Sequence, residues 1–280
     1  MTTLSITSGQ AKQIGRFSAD AVERALEEAA LDNLGAQRVI EHGDDFSSTI
    51  QKAVLAALKD LSVSDRFANK QVASKFGYLS GYKKPKGMTE QTNMLRRLFP
   101  GIGFADEKLA GEPLPKDAEG YFAIPRWQSI ASTYGEAVEK VFAVIKQTRN
   151  GRFYNYREGE LGPDQLRQSD RTARVFAKLG EAQSGYDILV VPAQFGLLHR
   201  GRSVRRVREI MRANECGLGA FAIGIMILTH PERLQHFDDL WIDCAGDEFS
   251  PDAGGRFGGA PCFLFGVDGV RVGTLPVRHA

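Results

Sequence analysis

Residues 199–215, HRGRSVRRVREIMRANE, hold six arginines. A guanidinium presents a planar fork that donates two parallel hydrogen bonds, which suits it to phosphate. At the head of this stretch His199, Arg200 and Arg202 surround a glycine ahead of an expected helix, where unpaired backbone N–H groups favour an anion. If the helix begins at Ser203, Arg205, Arg208 and Arg212 fall on one stripe opposite Val207 and Ile210. A second helix is expected over 163–179, with Pro163 in its first turn and Arg167, Arg171, Arg174 and Lys178 along one narrow stripe. Upstream, RNGRFYNYREG reads as a loop that interleaves Arg149, Arg152 and Arg157 with Phe153, Tyr154 and Tyr156. Rings set between cations are what stacking onto unpaired bases requires. The plainer alternative is a solvated face whose arginines pair with nearby carboxylates, and aromatics that belong to the core.

Charge is divided unevenly along the chain. Lys146 to Glu215 carries fourteen Lys and Arg against eight Asp and Glu, whereas residues 230–255 carry seven acidic residues and one Arg. In the acidic segment DLWIDC reads as a strand, with Asp239, Trp241 and Asp243 on one face. Asp243 would then stand near the end of a buried strand, with Asp247 and Glu248 in the loop beyond it. Carboxylates converging there would suit Mg²⁺, which takes oxygen ligands and bridges to phosphate. His199 or His230 would move protons beside such a site. The alternatives are an acidic turn with helix caps, or acidic residues paired with the arginines within or between chains.

Other motifs do not fit their context. GLGAFA, from Gly217 to Ala222, matches a dinucleotide-binding glycine pattern, but the arginine helix precedes it where a strand is required. Neither a phosphate-binding GxxxxGK[ST] loop nor GxSxG nor HExxH occurs. Cys216, Cys244 and Cys262 are odd in number, far apart and without a CxxC, which argues against a disulfide framework and for a reducing, cytoplasmic setting.

The elements that must position these residues follow from periodicity. Residues 1–100 read as helical. SADAVERALEEAALD places Val22, Leu26 and Ala29 on one face behind Ser18 as N-cap, Phe46 to Leu61 recur at helical spacing, and TEQTNMLRRLFPG ends at a Pro-Gly stop. Residues 101–119, rich in Gly, Pro and charge, read as a linker or long loop, and 120–280 as an α/β domain. There GYFAIPR and YDILVVPA read as strands, with a helix from Trp127 to Gln147 between them. FAIGIMILT is β-branched enough for a buried strand, with a buried helix as its rival, and PCFLFGVDGVRVGTL reads as a hairpin. The order predicts an α/β (or α+β) fold: a helical N-terminal region, then a mixed, partly parallel sheet with flanking helices, a βαβ unit and a C-terminal β-hairpin.

Of the 280 residues 42% are hydrophobic and 25% charged, the balance of an ordinary globular chain. The N-terminal MTTLSITSGQAKQIGRF lacks the apolar stretch of a secretory signal, and GAFAIGIMILT is too short to span a bilayer, so no membrane partner is expected. Three functions are compatible. The first is binding of RNA or single-stranded nucleic acid through the arginine stripes and the aromatic loop. The second is a Mg²⁺-dependent phosphoesterase or nucleotide-processing enzyme built on Asp243, Asp247 and Glu248. The third is a homo-oligomer in which basic and acidic segments of neighbouring copies pair.

Overall fold

The computed structural model describes residues 6–252 and 255–276. The chain divides into two compact units, Met1–Val63 and Ser64–Ala280.

The first unit is helical: α1 (Ser8–Ala29), α2 (Asn33–Glu41) and α3 (Gly43–Leu61). The expected N-cap Ser18 lies inside α1, its hydroxyl donating to the Ile14 carbonyl. Thr7 caps the helix instead, in a reciprocal capping box with Gln10. None of the described side chains from 6 to 63 is buried, and Phe17, Leu34, Ile40 and Leu61 are exposed.

In the second unit, α4 (Met88–Leu98) precedes β1 (Gly120–Pro125) and α5 (Tyr134–Thr148), which starts at a Thr133–Glu136 capping box. The chain continues through β2 (Phe153–Asn155), β3 (Leu166–Gln168), α6 (Asp170–Ala182), β4 (Ile188–Ala193) and α7 (Val204–Ile210). It ends in α8 (Ala220–Thr229), β5 (Ile242–Asp243), β6 (Asp247–Phe249), β7 (Gly259–Phe265) and β8 (Val270–Pro276). The six-stranded sheet runs β2-β8-β7-β6-β3, with β5 also on β7. Its β2–β8 pair is parallel and the others antiparallel, so the mixed α/β fold and the C-terminal hairpin are as expected.

Several elements decide between the readings or depart from them. FAIGIMILT takes its rival reading, a buried helix: it is α8, every residue of it buried, packed on α5, β1 and α4. β4 pairs antiparallel with β1, so it takes no part in a βαβ unit. Residues 163–168 form a turn and then β3, because Ser169 caps α6 through Thr172 N. Residues 101–119 take the second of their two readings, a long loop: they lie inside the second unit, where Ile102 is buried and the Phe104 carbonyl accepts from Ile188 N.

The β1–β4 ribbon has only two strands, so both outer edges need partners for their backbone groups. Two buried glutamines supply them. Gln91 on α4 donates to the Tyr121 carbonyl (2.9 Å) and accepts from Ala123 N (3.0 Å). Gln183, just past α6, accepts from Val190 N (2.8 Å) and donates to the Val190 carbonyl (3.1 Å).

Candidate functional site

A cleft of about 900 Å³ opens in the second unit. One wall is α6 and the end of β4, with Phe176, Leu179 and Val191, and another is α7, with Val204 and Val207. Phe76, Phe237, Trp241 and Ile242 add apolar surface from loops and β5. Charged groups enter at fewer places: the 199–202 turn, Lys75, Lys116, Asp117, Glu215, Asp238 and Asp243.

The structure therefore brings four of the expected residues to one cavity: His199, Arg200, Arg202 and Asp243. Gly201 makes the turn possible. It has φ +77°, and a Cβ there would lie 2.1 Å from the Val72 carbonyl oxygen. Arg202 Nη1 lies 3.0 Å from His199 Nδ1. Because a guanidinium can only donate, Nδ1 accepts and Nε2 carries the proton. Burial, and then the Arg202 charge, lower the His199 pKa. Burial pushes the Asp243 carboxyl up to about 6, and Cys216, at the same cavity, up to about 11. Side chains with displaced protonation equilibria in a large apolar cavity make it the candidate site.

The other expected residues stand elsewhere, and most of the arginines hold the fold together. Arg171 donates from Nε to the Glu215 carbonyl (2.7 Å) and from Nη2 to the Met211 and Arg212 carbonyls. Arg208 donates to the Ala245 (2.9 Å) and Asp247 carbonyls, and Arg149 to those of Pro231 (2.9 Å) and Leu234 (3.0 Å). Arg212 lies beyond the end of α7 and pairs with Asp117 (3.2 Å). Arg157 pairs with Glu160 and also donates to the Thr274 hydroxyl. Arg167 sits on β3, outside α6, and pairs with Glu248 (2.7 Å). The two stripes are thus broken up by helix boundaries and by carbonyl partners. Arg205 lies over the Phe67 ring, while Arg152, Arg174 and Lys178 are exposed.

Phe153 is buried against Phe142, so it cannot stack on a base; Tyr154 and Tyr156, 40% and 60% exposed, face outward from the β2 edge. His230 is fully buried, its Nε2 accepting from Lys86 N (2.9 Å) and its ring lying edge-on to Phe122, Tyr82 and Phe195. It is a core residue with no path to a substrate.

The three carboxylates expected to hold Mg²⁺ are engaged separately. Asp247 accepts from the Tyr134 hydroxyl and from Ala220 N (2.7 Å), so it caps α8, whose own N-cap is Gly219. A Cβ on Gly219 would lie 2.1 Å from Asp247 Oδ1, which accounts for the glycine. Glu248 is held by Arg167, and Asp243 stands in the cleft wall. Among the described residues no group of three His, Cys, Asp or Glu is gathered to hold a metal ion.

Sequence reasoning missed Arg233, which is fully buried. Its Nη2 donates to the Leu240 carbonyl (2.9 Å) and its guanidinium stacks 3.9 Å from the Tyr78 ring centroid. Only its isolation in an acidic segment marked it. Asp239 is also a structural residue, accepting from Leu79, Ser80, Gln235 and His236 N–H groups.

Comparison with family models, with curated proteins and with solved structures finds no match to this chain. Among the described residues no helix is long and apolar enough to cross a membrane.

Proposed function

We propose that residues 64–280 form a binding protein for a small, largely apolar molecule. The reading rests on one observation: a cleft of about 900 Å³, apolar along most of its walls, with polar groups converging at the 199–202 turn. That volume matches a ligand of drug-like or short-lipid size, and burial of its apolar surface supplies the affinity. Trp241 lines the cleft, so a Trp127→Phe chain reports occupancy through one indole. Titration with the uncharged probe N-phenyl-1-naphthylamine should shift Trp241 emission and raise probe emission saturably. Leu198→Glu, which puts a charge on a partly exposed lining position, should abolish both changes. Absence of saturable binding to the unmodified cleft removes this reading.

A second reading is favoured by the β2 edge. Tyr154 and Tyr156 share one exposed face there, Arg152 is exposed beside them, and Arg271 lies over the Tyr154 ring. Tyr154, Tyr156 and Arg152 belong to the aromatic-basic loop of the sequence, and we propose them, with Arg271, as a platform for a short single strand. Anisotropy of a labelled single-stranded RNA should show binding that falls steeply with salt and weakens on Tyr156→Ala. A flat response to salt removes it.

A further inference from the structure

We infer that the ligand of the cleft is an amphiphilic anion: an apolar body with one negatively charged head, received by the 199–202 turn and the lysines near it. This rests on the cleft reading above and adds the charge of the ligand.

The inference follows from which charges on the lining are already answered. Asp117 and Glu215 both face Arg212, at 3.2 and 4.0 Å, and Arg212 does not line the cavity. Asp243 stands in an apolar stretch of wall between Ile242 and Cys244, where burial raises its carboxyl to about 6 and leaves it mostly charged at neutral pH. Among the described residues, Asp238 and Asp243 are then the acidic lining residues that no cation faces, and Asp238 is the one open to solvent. On the opposite side of the balance, Lys75, Lys116 and Arg200 line the cavity and are exposed. Among the described residues none of those three side chains has a hydrogen-bond or ion-pair partner. Arg202 adds a fourth cation, already oriented by Gln71 (3.1 Å) and the Leu198 carbonyl (3.1 Å).

His199 contributes differently. With Nδ1 occupied by Arg202, its Nε2–H is the free donor of the ring, so the turn offers a neutral directional hydrogen bond among point charges. An anion entering there gains Coulomb energy without stripping a partner from any of these groups, while its apolar remainder replaces water along Phe176, Val191 and Val207. With Arg212 behind Asp117 and Glu215, the five cations exceed the four lining carboxylates by one, and a cationic ligand of the same shape would find no use for the unpartnered donors at the turn.

The test compares two probes of nearly the same shape on the full chain. N-phenyl-1-naphthylamine is uncharged, and 1-anilinonaphthalene-8-sulfonate carries one negative charge. The sulfonate should bind about tenfold more tightly at low salt, and that preference should shrink as salt rises. Lys116→Gln and Arg200→Gln together, both at exposed positions, should weaken the sulfonate and leave the neutral probe unchanged. Decanoate and decyl phosphate should displace the sulfonate probe while decanol does so poorly, and the stronger of the two identifies the head group. Equal affinity for the two probes, or a sulfonate affinity untouched by the double substitution, overturns the anion assignment while leaving the cleft intact. Failure of both probes to bind overturns the cleft reading itself.

Discussion

The Tyr134 hydroxyl lies 2.8 and 3.0 Å from the two carboxyl oxygens of Asp247, joining the first turn of α5 to β6 beneath the start of α8. Burial is the main cause that raises the Asp247 pKa to about 7, and the Ala220 N–H and the Tyr134 hydroxyl act against it. An aspartate whose folded pKa lies above its unfolded value of about 3.9 costs stability as pH rises between the two. Tyr134→Phe removes a donor that favours the charged form. The substitution should therefore destabilise by about 1 kcal/mol at pH 5 and by more at pH 8. Denaturant unfolding at the two pH values checks the sign. An equal loss at both would mean that Asp247 does not ionise in the folded chain.

Asp243→Asn should show the opposite trend. Its carboxyl is held up to about 6 by burial, so the unsubstituted chain loses stability as pH rises from about 4 to about 6. The asparagine does not titrate, so the variant should gain on the parent across that window and run parallel to it above. Melting temperatures of the two chains from pH 4 to 8 give the difference directly.

Gln183→Glu keeps the size of the side chain and removes its N–H donor. The carboxylate can still accept from Val190 N but faces the Val190 carbonyl with nothing to offer. A loss of about 2–3 kcal/mol is expected by urea unfolding, from the unmet carbonyl together with the buried charge. Exposed Gln51→Glu serves as the control and should change little.

Arg171→Lys and Arg208→Lys keep the charge but lose the fork that spans two or more carbonyls. Each should cost about 1–3 kcal/mol, and the cost should be nearly independent of salt, since the partners are carbonyls inside the fold. If these arginines instead served a free phosphate surface, the lysine variants would be as stable as the parent.

Gly224→Ala sets two effects against each other. Alanine in mid-helix is worth about 1 kcal/mol over glycine, but a Cβ at 224 would lie 2.6 Å from Val141 Cγ1, in the contact of α8 with α5. Val141 is fully buried and β-branched, so it has little room to turn. A net loss of stability is expected by thermal unfolding, and a gain would show that α5 and α8 have slack between them.

Much of the framework was legible from period and caps. β1, β4, the hairpin, α4 and most of α5 follow from alternation, capping residues and Pro-Gly stops. α8 was not, because a helix covered on all sides has no polar face and hence no period to read. The expected helix over 163–179 starts too early because Pro163 suits a first turn, whereas the side chain that caps α6 is Ser169. At the candidate site, the 199–202 turn and Asp243 were legible by residue type. The destinations of Arg171, Arg208 and Arg149 were not, because their partners are backbone carbonyls distant in sequence, and every residue has a carbonyl. Charge pattern along a chain records where cations are and leaves open what has already claimed them.

The strand order β2-β8-β7 also sets a timetable. Phe153 is made early and stays without its sheet neighbour until Val270 has been synthesised. At ordinary elongation rates that is on the order of ten seconds. α8 is translated in the same interval, and Phe263, against which Gly224 packs, arrives only after it. α8 thus emerges after α4, β1 and α5, on which it packs, and waits for the contact with Phe263. Slowing translation after residue 230 should lengthen the time that Phe153 waits for Val270 and increase capture by chaperones, whereas speeding it should raise the yield of folded protein.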